Sequence, residues 1–293
     1  MKKVSVVIVT YNGEKYIRKC LDSIVESACI IEVIVVDNHS QDLTVDIIKN
    51  DYPNVKLISL NENFGFGKAN NIGISESIKS KSDYILLLNQ DAWITPSMID
   101  SLVKQSFLNL NFGILSPVHW CKFLEILDCG FKKYTNYEIG EAKMDEVIAV
   151  NFICAAIWLV PTFVFKKVGG FDPMFAHYGE DVDFVNRVRY HGYSIGYCPN
   201  INAVHDREQN PKYDENRILR GIYIYIYILL KDINVRFPIS LAKTFYYTLS
   251  QIVKQPKLCC PILVFFVKSI LISPKIYKVR NMLKTTGSYF LDV

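Results

Sequence analysis

None of the eight cysteines forms a Cys-x-x-Cys pair; they lie scattered through apolar segments. Zinc sites and disulfide frames need paired spacings, so reduced, buried thiols in a cytoplasmic protein are expected instead. No Gly-x-Gly-x-x-Gly follows the first strand-like run, and no Gly-Lys-Ser/Thr loop occurs. Both absences speak against a dinucleotide oxidoreductase and a P-loop enzyme. The near match Gly65-Phe66-Gly67 comes only after the third strand. No apolar run reaches the roughly 20 uncharged residues that a membrane-spanning helix needs. No internal repeat is visible, and no low-complexity linker interrupts residues 1–210. Met1-Lys2-Lys3 runs straight into Val4-Ser5-Val6-Val7-Ile8-Val9, so no signal peptide is expected. Acid is scarce in one place. Residues 216–293 hold 12 Lys and Arg against only Asp232 and Asp292, a net +10, whereas residues 1–215 hold 21 against 27, a net −6. The whole-chain value of +4 conceals two parts that face different partners.

Half of the 293 residues are hydrophobic, enough for the core of one large domain, or of one domain with an appendage. Tyr84-Ile85-Leu86-Leu87-Leu88 reads as a strand buried on both faces and stops abruptly at Asn89-Gln90-Asp91. Similar runs at 4–9, 32–36 and 55–58 alternate with helical spacings, which predicts an α/β fold with a doubly wound, mostly parallel sheet. Ligands of such sheets bind at the carboxyl ends of the strands. Thr10-Tyr11-Asn12, Asp37-Asn38 and Asn89-Gln90-Asp91 therefore converge on a nucleotide site. Asp37 there would accept the N3–H of uracil or thymine, which cytosine lacks, or would close a local turn. Asp91 suits Mg²⁺ or Mn²⁺ shared with phosphates; it would equally cap a helix starting near Pro96. Glu180-Asp181-Val182-Asp183 opens a helix. Acids there favour the helix N-terminus in any case, and the i,i+3 spacing puts Glu180 and Asp183 on one face with Asp181 elsewhere.

In this order and spacing, Val4 to Asn12, Val35 to Asp42 and Asn63 to Gly73 resemble glycosyltransferase family 2, the last of them its rhamnosyltransferase-like branch. The resemblance covers about residues 3–210. It implies a GT-A fold and an inverting, metal-dependent sugar transfer from a UDP- or dTDP-sugar to a lipid-linked or growing saccharide. Asn89-Gln90-Asp91 falls where the family carries Asp-x-Asp, with Asn in the first place, leaving Asp91 and, later, His205 for Mn²⁺ or Mg²⁺. Asp181 is implied as the general base, with Glu180 and Asp183 orienting the acceptor. Lys68 and Asn71 join Thr10, Tyr11, Asn12, Asp37, Asn38, Asn89 and Gln90 as expected donor-binding residues. Residues 147–160 read as one long strand lining the acceptor cleft. A sugar-phosphate nucleotidylyltransferase is the alternative enzyme, and an inactive, membrane-associated nucleotide-sugar-binding protein the non-enzymatic one. Neither fits as well: Thr10 to Glu14 is no glycine-rich basic loop, and Asp37, Asp91, Asp181 and His205 are retained together.

The expected division is a catalytic domain over 1–215, with a donor half to about 95 and an acceptor half from about 96, and a basic, apolar helical tail over 216–293. Lysines flank or interrupt the apolar run 258–272, which predicts helices lying on an anionic membrane surface, peripheral on the inner face of the cell membrane. Packing on the catalytic domain is the other reading. Nucleic acid is not expected, because the cations are interleaved with aliphatic runs. A chain ending near residue 215 is expected to be soluble and to keep its donor site.

Overall fold

The computed structural model describes the chain except residues 25–27, 122–123, 136, 138–145, 176–177 and 207–213. Its first half follows the sequence closely. β1 (Lys3–Thr10), β2 (Ile30–Asp37), β3 (Lys56–Ser59) and β4 (Tyr84–Asn89) form a parallel group in the order β3-β2-β1-β4. α1 (Ile17–Asp22), α2 (Thr44–Asp51) and α3 (Phe66–Lys79) are the crossovers. Branched side chains suit a pleated surface covered on both sides, and Val4, Val6, Val7 and Ile8 are fully buried.

Past β4 the sheet ceases to be mostly parallel. It continues through β5 (Ala92–Ile94), β6 (Phe112–Cys121), β7 (Ile126–Leu127), β8 (Ile148–Val150), β9 (Ile157–Pro161) and β10 (Ser194–His205). α4 (Met98–Leu108), α5 (Cys129–Thr135), α6 (Thr162–Val168) and α7 (Glu180–Tyr190) lie between them. β9 inserts antiparallel between β4 and β6, and β5, β7 and β8 also pair antiparallel; among the described residues only β6 and β10 run parallel here. The result is a mixed sheet ordered β3-β2-β1-β4-β9-β6-β10-β5. A strand buried on both faces has the same composition in either direction, so composition cannot report its sense. The apolar run 147–160 is likewise two strands, because its ends belong to different places: β8 pairs with β10, and β9 with β4 and β6. Residues 194–205 form one strand with a register shift between Cys198 and Asn202.

The C-terminal part folds as α8 (Glu215–Lys231), α9 (Phe237–Lys254), α10 (Cys259–Leu271) and α11 (Ser273–Leu283). Asp214 caps α8 by accepting the Arg217 amide N–H at 2.7 Å. Ile222, Ile226 and Leu230 meet Leu258, Ile262 and Ile276 in a small core of their own. No single described helix is long and apolar enough to cross a membrane.

This part is not hung on the sheet by a thread. Lys231 and Asp172 form a buried ion pair. The Gly170 N–H donates to the Tyr289 carbonyl at 2.8 Å, and the Gly287 N–H to that of Lys167 at 2.9 Å. Gly169 has φ +89°, and a Cβ there would stand 2.6 Å from the Tyr289 oxygen, so only glycine admits this approach. Leu291 ends against the apolar cluster beneath α6 and α7.

Candidate active site

Register brings the polar strand ends together. Thr10 pairs with Asp37 and Val9 with Asn89, so the ends of β1, β2 and β4 open on one edge of the sheet. There a cavity of about 1160 Å³ is lined by, among others, Tyr11, Asn38, Asp91, Glu180, Asp181 and His205. Asn89 and Gln90 also line it. Gln90 clamps β1 to β4: its Oε1 accepts the Tyr11 N–H at 2.9 Å, and its Nε2 donates to the Tyr11 carbonyl at 3.2 Å.

Asp91 and His205 are 114 positions apart and meet because β5 pairs antiparallel with β10, setting His205 opposite Ala92. His205 Nε2 lies 3.6 Å from Asp91 Oδ1. α4 begins only at Met98 with Ser97 at its N-cap, so Asp91 is not the N-cap of that helix. Behind the imidazole, Nδ1 is 3.8 Å from Asp128 Oδ2. Asp128 is fully buried and accepts the Phe131 N–H at 2.7 Å, which fixes it at the start of α5. The 3.8 Å separation from the imidazole is longer than a hydrogen bond, and His205 Nδ1 is buried without a hydrogen-bond partner. Asp128 belongs to no motif in the sequence; its only local signal is an acid set among Ile126, Leu127 and Cys129, which is costly to bury without a task.

α7 meets the cavity end-on. The first residues of a helix share its terminus whatever their angular spacing, so Glu180 and Asp181 both face the cleft. Asp183 does not line it and accepts from Arg187 Nε at 2.8 Å, both side chains buried. Arg187 also donates to the Val168 and Gly170 carbonyls. The acceptor-orienting role expected of Asp183 is thus replaced by a structural one. Burial first, and the neighbouring Asp181 charge second, push the Glu180 carboxyl up to about 8. Its Oε2 is buried without a hydrogen-bond partner. Burial raises Asp181 to about 6, against the pull of the Val182 N–H donating to Oδ1 at 2.8 Å.

The remaining expected donor residues divide. Asp37 is 2% exposed and does not line the cavity; it accepts from Thr10 Oγ1 at 2.9 Å and from Ser40 N–H and Oγ–H at 3.0 and 2.5 Å. A carboxylate has about four acceptor sites, and three of them are taken here by Thr10 and Ser40. Asn12 has φ +48° and accepts the Gln41 N–H at 2.8 Å, bracing the same loop. Lys68 and Asn71 line a smaller hollow beside α3 rather than the cleft. Asn71 bridges to the Phe171 backbone through both amide atoms, at 2.7 and 2.8 Å, as a structural tie.

Known proteins resemble this chain in sequence and in fold. Residues 5–107 match the family described as Glycosyl transferase family 2. The N-acetylglucosaminyl-diphospho-decaprenol L-rhamnosyltransferase of Mycobacterium tuberculosis is 24% identical, over 78% of this chain and 83% of its own. The dTDP-rhamnosyl transferase RfbF of Shigella flexneri is 29% identical, over 68% and 67%. Among solved structures, S. aureus TarS 1–349 in complex with UDP-GlcNAc has the same fold, with a TM-score of 0.58 at 17% identity over 97% of this chain and 88% of that one. The mannosyltransferase PcManGT of Pyrobaculum calidifontis, solved with GDP-Man and Mn²⁺, gives 0.56 at 17% over 96% and 79%. Residues 5–107 thus carry the sequence of glycosyltransferase family 2, and most of the chain is similar to rhamnosyltransferases.

Proposed function

We propose that the chain moves a hexose from a UDP- or dTDP-sugar to a hydroxyl of a lipid-linked or growing cell-surface saccharide, with inversion at the anomeric carbon. Rhamnose is the sugar favoured by the relatives' names. The carrying observation is that one cleft holds Asp91 and His205 on one wall and Asp181 at the N-terminus of α7. The acceptor hydroxyl gives its proton to Asp181 Oδ as its oxygen bonds to the anomeric carbon. The bond from that carbon to the diphosphate oxygen breaks on the opposite face, and the nucleoside diphosphate leaves with the electron pair. A base with a pKa near the working pH serves this step best, and a nearby diphosphate raises a carboxylate further.

Asp91 and His205 fit a divalent ion: a hard oxygen and an imidazole face the cleft, and the ring is backed by Asp128. Among the described residues no group of three metal-ligand side chains is present, so an ion held by Asp91 and His205 would take its other ligands from phosphate oxygens and water. Such an ion, when bound, offsets charge on the leaving diphosphate. Asp91→Ala should abolish the Mn²⁺-dependent part of nucleotide binding. A thermal-shift titration checks this, since saturation at 100 times Kd adds about 2.7 kcal/mol. Equal Mn²⁺ dependence in the variant would remove the metal role, and undiminished turnover in EDTA would remove it from the reaction.

We also propose that the protein lies peripherally on the inner face of the cell membrane. Tyr246, Val253 and Leu271 are 76, 80 and 74% exposed, and Lys243, Lys254, Lys257 and Lys268 stand in α9, α10 and the connection between them. Each such cation is worth about 1 kcal/mol near an anionic surface. Full-length protein should float with vesicles containing phosphatidylglycerol and be only partly released by salt. Failure to float would leave this face to a protein partner.

A further inference from the structure

The cleft has an apolar wall for which a saccharide and a diphosphate give no reason. Ile224 and Ile228, one turn apart on α8, both line it, with Tyr178 beside Glu180 and with Phe152 further along. Gly179 is the joint. Its φ is +93°, and a Cβ built there would lie 2.8 Å from Ile224 Cγ2, so α8 rests against the backbone immediately before Glu180. Tyr178, also left-handed at φ +69°, is 57% exposed. Sugar hydroxyls set against Ile224, Ile228 and Phe152 would find no hydrogen-bond partners there.

The opposite face of α8 leads outward. Ile222, Ile226 and Leu230 hold the helical core, and Tyr223 stacks on Phe265 of α10 at 3.8 Å between centroids. Leu263, Val264, Val267 and Leu271 of α10 are then 49–74% exposed. No acid stands between Asp232 and Asp292. An apolar surface ringed by one sign of charge complements an anionic lipid, and the cleft wall belongs to the same helical unit.

We propose that Ile224, Ile228 and Tyr178 receive the first part of the hydrocarbon chain of a lipid-linked acceptor, beside Glu180 and Asp181, while the rest of that chain stays in the bilayer beneath α9 and α10. This rests on the glycosyl-transfer reading above and adds the chemical class of the acceptor's anchor. The wall works by excluding water around the chain and by fixing where the acceptor headgroup stands relative to Asp181.

The test uses full-length enzyme and N-acetylglucosaminyl diphosphate carrying either a short or a long polyisoprenyl chain, with dTDP-rhamnose as donor. The long chain should bind at least about tenfold better, the equivalent of 1.4 kcal/mol of buried hydrocarbon. The double variant Ile224→Ser/Ile228→Ser should lose about that factor for the long chain and little for the short one, whereas Ile228→Met should keep the preference. Acceptor affinity is read by thermal shift as well as by KM, and melting curves of the free variants report folding. Equal affinity for both chains in the wild type, or an equal loss for both in the double variant, overturns the proposal and makes a free saccharide the acceptor. Chain-dependent binding without transfer of any sugar would instead overturn the activity and leave the lipid site standing.

Discussion

Asp181→Asn should bind donor nucleotide as the wild type does while its turnover falls by about 10²- to 10⁴-fold, the range a general base contributes. The substitution keeps the side chain's shape and the Oδ1 that accepts the Val182 N–H, and removes only the ability to take a proton. The pH profile gives an independent reading. Burial puts Asp181 at about 6. Below that value it is protonated and cannot act, so turnover should rise with pH through about 6 and then level. Glu180, raised to about 8 by burial and by Asp181, holds its proton at neutral pH and can donate to an acceptor hydroxyl. Turnover should therefore fall as pH rises through about 8. Glu180→Gln retains a donor that cannot ionise, and the alkaline limb should vanish in it. Near-normal turnover in Asp181→Asn would move the base to Glu180, because Asp183 is committed to Arg187.

Lys231→Met should cost about 3–5 kcal/mol in urea unfolding, the usual loss when one partner of a buried ion pair is removed. Asp172 is 3% exposed and would be left as an uncompensated buried charge near Asp183. The pair joins α8 to the turn before α7, so the damage should spread to the cleft wall and weaken acceptor use. Lys231→Met/Asp172→Leu should recover most of the loss, since a matched apolar pair is often as stable as the ions. A cost below about 1 kcal/mol, typical of exposed pairs, would show that the helical unit is held on by something else. The same contacts reverse the expectation for a chain ending near residue 215. Ending there removes Ile224 and Ile228 from the cleft, takes Lys231 from Asp172, and bares Gly169 and Gly170 where Tyr289 lay. Such a fragment should be less stable and prone to aggregate, not a more soluble enzyme.

Much of the donor half was legible from the sequence alone. Runs such as Val4 to Val9 and Tyr84 to Leu88 announce buried strands by local composition, and the polar residues that end them announce the mouth of a site. Glu180 and Asp181 were found as acids opening a helix, and the family resemblance followed from motif order. What tertiary structure decided lies elsewhere. It set the reversed direction of β9, because burial on both faces looks the same either way. It set Asp128 behind His205 and His205 beside Asp91 through strand pairings that no local pattern encodes. It turned Asp183 away from the cleft, because Arg187 one turn on offered a buried partner. It also folded a basic, apolar C-terminal part back onto the sheet and into the wall of the cleft. Net charge and hydropathy describe what a segment can touch, whereas the Lys231–Asp172 pair and the close approach at Gly169 depend on where two distant stretches are brought together.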